Sequence, residues 1–243
     1  MQILRTTQDL NAYLRKTDCT LGCLADTGFL YGASFDDDRI FDKSVEVHEL
    51  LAENSIPIFA NVISRMEFID LLLRKQLTGG CVELFEQLER TSTNTELFNL
   101  LKNIRDNNTA AIRNNESYKI SEAHIKKLRR LISSYSQGTT WKSFCAKYTG
   151  PVLVSEWKVL EEELGLNFVE ITEGATSEFF HAPLLWNDMV QIMGRHGMRG
   201  PDAMIVNLFL KSNFSLLITS DSDFESTTKD SADSSPNKAV FVL

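Results

Sequence analysis

The chain has 243 residues, of which 43% are hydrophobic and 24% charged. These are globular values, and they exclude a disordered or fibrous chain. At roughly 100–200 residues per domain, the length predicts one elaborated domain or one domain carrying an insertion. No stretch approaches the ~18 uninterrupted apolar residues of a membrane span. The start, Met1 to Asp9, lacks the apolar core of a signal peptide, so a soluble cytoplasmic protein without membrane contact is expected.

Cys19, Cys23, Cys81 and Cys145 include no Cys-x-x-Cys pair, which leaves a disulfide framework or zinc site with little support. His48-Glu49 is followed by Ala52 where a zinc-protease helix needs its second histidine. The net charge of −8 argues against a nucleic-acid partner until its distribution is read. From Lys102 to Lys147 there are ten Lys or Arg against three Asp or Glu. An acidic body thus carries a basic appendage.

In chain order, the apolar run 21–25 predicts a buried strand that delivers Asp26 into a loop at Asp26-Thr27-Gly28. Asp36, Asp37, Asp38 and Asp42 read as a solvated loop and helix start. Val45, Val47, Leu50 and Leu51 give a short amphipathic helix. Residues 56–60 read as a second strand with Pro57 near its beginning. A helix follows, its stripe formed by Val62, Met66, Ile69 and Leu73 and widened by Ile63 and Leu72. Glu67 lies within it, at the rim of the stripe or facing a polar pocket. Gly79-Gly80 breaks the pattern.

Residues 81–165 read as helices without strands and contain the basic region. Residues 166–172 alternate like a half-buried strand, and 183–196 look helical. Gly200-Pro201-Asp202 opens another helix, with Ala203, Ile205, Val206, Phe209 and Leu210 on its buried face. Residues 214–219 form the clearest strand and end at Ser220-Asp221-Ser222-Asp223-Phe224. The polar segment 226–238 reads as a mobile loop, and 239–243 as a last strand. Strand–helix alternation at both ends predicts an α/β parallel-sheet sandwich with helices on both faces. Its core is discontinuous, 1–80 and 166–243, and 81–165 is a helical insertion.

Two strands therefore end in acids, Asp26 and Asp221/Asp223. In an open parallel sheet, ligands collect beyond the carboxyl ends of the strands. Neighbouring strands would bring these carboxylates together, and Glu67 and Asp202 add one each from helices. Taken singly, each acid has a plain structural reading as a helix-dipole partner, turn former or rim residue. An aspartic protease, suggested by Asp26-Thr27-Gly28, is disfavoured by the α/β pattern and the lack of a second such triplet.

Taken together, Leu24-Ala25-Asp26-Thr27, Ser64-Arg65-Met66-Glu67, Pro201-Asp202-Ala203 and Leu217-Ile218-Thr219-Ser220-Asp221-Ser222-Asp223-Phe224 follow a known order. The chain in this respect resembles the PIN-domain ribonucleases over about 21–80 and 166–243. The resemblance implies a divalent-metal-dependent endoribonuclease that hydrolyses RNA with metal-activated water. Asp26, Glu67, Asp202, Asp221 and Asp223 would be both the catalytic set and the ligands of Mg²⁺ or Mn²⁺. Hard cations of this kind prefer oxygen donors, and they lower the pKa of bound water. Thr219 and Ser64 would be supporting hydroxyls, while Arg195 and Arg199 could meet a phosphate. The family includes toxins with antitoxin partners and members that form homodimers, and both partners are carried as expectations. The alternative is a catalytically silent module of this fold that binds nucleic acid or protein.

The chain departs from the family in one respect: Glu67 and Asp202 lie 135 positions apart, separated by the insertion. That insertion carries Tyr118, Tyr135, Trp141 and Phe144 among its basic residues. They could stack bases beside phosphate-binding cations. The competing reading makes Leu128, Leu131 and Ile132 a core stripe with Lys126, Lys127, Arg129 and Arg130 simply solvated.

Overall fold

The computed structural model describes the chain except residues 89–94, 115, 135–139, 175–177 and 231–236. The elements run β1 (Gln2–Leu4), α1 (Thr7–Leu14), β2 (Cys23–Ala25), α2 (Thr27–Ser34), α3 (Phe41–Glu53), β3 (Ile58–Asn61) and α4 (Val62–Leu88). Next come α5 (Thr95–Arg113), α6 (Glu122–Ser134), α7 (Trp141–Tyr148), α8 (Gly150–Glu163) and β4 (Asn167–Val169). The chain closes with α9 (Trp186–His196), α10 (Gly200–Lys211), β5 (Leu216–Thr219), α11 (Asp223–Asp230) and β6 (Ala239–Val242).

The six strands form one all-parallel sheet in the order β1-β6-β5-β2-β3-β4, flanked by helices as a parallel α/β/α sandwich. Parallel strands covered on both faces must be apolar throughout, and β2, β5 and β6 are buried at every position. From β2 the chain proceeds to β3 on one side, and from β5 to β6 on the other. The neighbours β2 and β5 therefore flank the point where strand order reverses, the place where open parallel sheets bind their ligands.

The chain divides into two compact units. The α/β unit comprises 1–36, 40–68 and 160–243, and the helical unit comprises 37–39 and 69–159. Each has its own core. In the α/β unit, Phe209, Phe214, Leu217 and Val240 pack with Leu24 and Phe224. In the helical unit, Phe85, Leu97, Leu101, Ile104, Leu128, Ile132 and Phe144 form the centre. Lys238 is buried in the α/β unit. Its ammonium donates to the carbonyls of Phe209, Ser212 and Phe214 at 2.9, 2.8 and 2.6 Å, closing the C-terminal end of α10.

Several local expectations are corrected. The stripe of α4 differs in part from the one periodicity predicts: Leu72 is buried and Ile63 and Leu73 pack on cores as expected, but Val62 is 50% and Met66 66% exposed, while Ser64 and Phe68 are buried. Ser64 can be buried because its hydroxyl donates to Ala25 O at 3.1 Å. Gly79-Gly80 does not end the helix, which runs unbroken to Leu88. A Cβ on Gly80 would come within 2.6 Å of the Tyr148 ring, so glycine there permits close helix packing. Asp26 does not lead into a loop but caps α2 directly.

The strand over 166–172 contracts to Asn167–Val169, an edge strand with two exposed residues, and Pro57 lies just before β3. Residues 226–230 of the expected mobile loop are the end of α11, while 231–236 lie outside the described residues. β1, α1 and α2 have no counterpart in the sequence reading. All four cysteines are free thiols.

Candidate active site

Each of the five predicted acids belongs to the α/β unit. Asp26 follows β2, and its own N–H bonds to Ile218 O of β5 at 2.9 Å, as the last rung of that ladder. It is 5% exposed. Such burial requires partners, and both oxygens have one. Oδ1 accepts from the Thr27 N–H at 2.7 Å and Oδ2 from the Thr219 hydroxyl at 2.8 Å.

Thr219 also joins a second acid, because its hydroxyl oxygen accepts from the Asp221 N–H at 3.0 Å. Asp221 Oδ1 in turn accepts from the Asp223 N–H at 2.8 Å, which turns the chain into α11. On the other side, the Thr27 hydroxyl donates to Glu67 Oε2 at 2.9 Å. Two threonines thus link the ends of β2 and β5 and the first turns of α4 into one network carrying four of the acids. A Cβ on Gly28 would sit 1.8 Å from Ser220 Oγ, so glycine is what lets α2 approach the β5 loop this closely.

Asp202 enters through charge rather than a hydrogen bond. It lies in the first turn of α10, after Pro201. Burial pushes its carboxyl up to about 6; the negative charges of Glu67, Asp221 and Asp223 add to the rise, and Arg199 opposes it. Asp26 is pushed to about 7, first by burial and then by the charges of Glu67 and Asp202. The bonds from Thr219 and Thr27 pull it back. Glu67, Asp202, Asp221 and Asp223 each add negative charge at Asp26 or at Asp202, on top of the larger effect of burial. Exposure grades outward from buried Asp26, through half-buried Glu67, Asp202 and Asp221, to exposed Asp223.

Ser64 does not reach the acids. It is a hinge pin between β2 and α4, donating to Ala25 O and accepting from Asn61 Nδ2 at 3.2 Å. Asn61 caps α4 by accepting from the N–H groups of Ile63 and Ser64 at 2.8 and 3.2 Å. Asn61 and the bridging role of Thr27 escape the sequence reading. The available signal was the pattern Asn-x-x-Ser at a strand–helix junction. Arg199 stands beside Asp202, whereas Arg195 lies in the last turn of α9.

Among the described residues, no three carboxylates, imidazoles or thiols are drawn into a ready-made metal-holding group. Asp26 is bonded to Thr27 and Thr219, and Glu67 to Thr27. The donors are nonetheless all carboxylate oxygens, the kind hard divalent cations take. A cation would relieve the field that raises Asp26 and Asp202, so the residues fit such an ion in chemistry. A hollow of about 500 Å³ lined in part by Asp36, His48 and Glu163 lies elsewhere in the α/β unit and includes none of the five acids.

No family model, curated protein or solved structure matches the chain.

Proposed function

We propose that this chain is a divalent-metal-dependent endoribonuclease of the PIN type, hydrolysing RNA phosphodiester bonds. The observation that carries the reading is the hydrogen-bonded network that gathers Asp26, Glu67, Asp221 and Asp223 at the switch point of a parallel sheet, with Asp202 near enough for its charge to act on Asp26. Such crowding destabilises the fold, and a structural role for it is hard to find.

Asp26, Glu67, Asp202, Asp221 and Asp223 would hold Mg²⁺ or Mn²⁺, which when bound supplies charge neutralisation at a phosphoryl oxygen and acidifies water. The chain's own part is positioning. Thr27 and Thr219 fix both oxygens of Asp26, so that its carboxylate cannot turn away. Asp221 and Asp223 are held in sequence by successive N–H bonds. Arg199, whose charge already acts on Asp202, would meet the substrate phosphate. Exposed Asp223 lies where a polymer must approach. The toxin role, with an antitoxin as partner, belongs to this reading as a subordinate part.

The test is cleavage of labelled RNA and DNA with Mg²⁺, Mn²⁺ or a chelator. RNA cleavage that needs the metal and falls by at least about a thousandfold in Asp26→Asn and Asp202→Asn supports the reading, that loss being the scale of a lost metal-ion contribution. Full activity in both variants, or cleavage unaffected by the chelator, overturns it. Binding of Mn²⁺ should also stabilise the fold, by about 2.7 kcal/mol at a hundredfold excess over Kd.

A further inference from the structure

Charge separates by unit. Residues 37–39 and 69–159 hold 15 Lys and Arg against 11 Asp and Glu, while the α/β unit holds 10 against 22. The basic excess concentrates on α6 and α7, where Lys126, Lys127, Arg129, Arg130, Lys142 and Lys147 face Glu122 as the one acid in those helices.

Helix α6 turns Leu128, Leu131 and Ile132 into the core. Its exposed side carries Lys126, Lys127, Arg129 and Arg130. Lys126 lies three positions before Arg129 and four before Arg130, and Lys127 three before Arg130. Like charges at these spacings oppose helix formation. Glu96 of α5 answers two of them, at 3.5 Å from Lys127 and 3.0 Å from Arg130. Among the described residues, Lys126, Arg129 and Lys142 make no ion pair. Helices α6 and α7 pack together, and Arg129 is close enough to Cys145 of α7 for its charge to act on the thiol.

We propose that the exposed face of α6, with Lys142 of α7, binds the phosphodiester backbone of single-stranded nucleic acid. This deepens the nuclease reading and rests on it for the choice of ligand. Two observations favour a nucleic acid over an acidic protein. No large apolar side chain of α6 is exposed, and protein partners need apolar or aromatic anchors, whereas phosphate contacts need charge alone. Of the aromatics the insertion carries, Phe144 is buried and Tyr118 and Trp141 pack on the core, while Tyr135 lies outside the described residues. Lys126 and Arg130 are also separated by about 6 Å along the helix axis, comparable to the step between phosphates of an extended strand.

The experiment uses full-length Asp26→Asn protein in a chelator, so that binding is read without cleavage. Fluorescence anisotropy with labelled 20-nucleotide RNA and DNA single strands would be followed across salt concentrations. Lys126→Glu with Arg129→Glu is expected to weaken binding at least about tenfold and to flatten the salt dependence by one to two ions. Arg15→Glu with Lys16→Glu makes the same charge change on the α/β unit and should alter binding by less than about twofold. Lys126→Gln with Arg129→Gln, which keeps the helix without reversed charge, should lie between.

Equal binding of RNA and DNA assigns recognition to the backbone alone; stronger RNA binding adds the 2′-hydroxyl. Unchanged affinity in both α6 variants overturns the proposal, as does an equal loss in the Arg15/Lys16 control. Displacement of RNA by polyglutamate at matched charge overturns it in favour of a protein partner. Separately, the α6 variant with Asp26 intact should still cleave a short oligonucleotide. Lost binding in a chain that never cleaves would therefore reject the nuclease reading and leave this one standing.

Discussion

The two units handle charge in opposite ways. The α/β unit buries one acid, Asp26, braces it with hydroxyls and gathers partly exposed acids around it. The helical unit keeps an apolar centre and leaves the cations of α6 on its surface, where water screens them. Inside, a charge needs designed partners and shifts its own titration; outside, only its pattern carries information. The α/β unit therefore reveals function through cost, the helical unit through uncompensated repetition.

The strongest test of this contrast removes apolar substance from the helical unit. Phe85 is buried, with the Arg105 guanidinium 4.4 Å from its ring centre. Phe85→Ala should destabilise that unit by about 3–5 kcal/mol, measured by urea unfolding. If the proposed metal-dependent RNA cleavage is carried by the α/β unit's acids, it should persist at denaturant concentrations where the helical unit has begun to melt. Loss of both together would show that the units are not separable in stability.

The next effect concerns pH. Asp26 titrates near 7 when folded and near 3.8 when unfolded. Between those values the folded state binds the extra proton, so stability is greatest at low pH and falls as pH rises toward 7. Asp26 alone contributes a slope of up to about 1.4 kcal/mol per pH unit in that window. Asp202, near 6, adds to it from about 4 to 6. Melting of the protein in a chelator from pH 4.5 to 8 should show this decline. Asp26→Asn should flatten it, and Mn²⁺ should reverse it by stabilising the ionised forms. A melting temperature rising steadily with pH in the chelator would contradict the buried-acid description.

Asn61→Ala is expected to act more gently on stability. It removes the cap of α4 and the bond to Ser64, costing about 1 kcal/mol. Because α4 carries Glu67, activity should fall by more than the stability loss explains. A variant with unchanged turnover would make Asn61 a cap and nothing else.

Strands β2 and β5 were legible because they are short apolar runs closed by acids. Leu216 to Thr219 before Asp221, and Cys23 to Ala25 before Asp26, need no tertiary information to be noticed. The parallel α/β class followed from their alternation with helices. What stayed hidden depends on contacts remote in sequence. Periodicity chose Val62 and Met66 for the core, because a buried serine looks like a solvent residue until Ala25 O is there to receive its hydroxyl. Gly80 looked like a break because Tyr148, 68 positions later, fills the space it leaves. β1 escaped because three residues make no pattern; its pairing with β6 at the far end of the chain defines it. Thr27 was visible as part of a motif, but its bridge from Asp26 to Glu67 requires that α4 already stand beside β2.

The smallest expected effect tests whether the surface pattern of α6 has meaning. Glu96 is 53% exposed and answers both Lys127 and Arg130. Pairs so open contribute little, about 0–1 kcal/mol, and Glu96 also sits in the first turn of α5, where a negative charge is favoured. Glu96→Gln should therefore lower stability by only about 0.5 kcal/mol in thermal melting. Nucleic-acid binding should move the other way. Freed of their carboxylate, Lys127 and Arg130 become available to phosphate, and affinity in low salt should rise by about twofold. The gain should vanish at high salt, since screening removes it. A plain solvated face predicts the stability loss without the gain in binding, so the opposed signs of the two measurements separate the readings even though each effect is small.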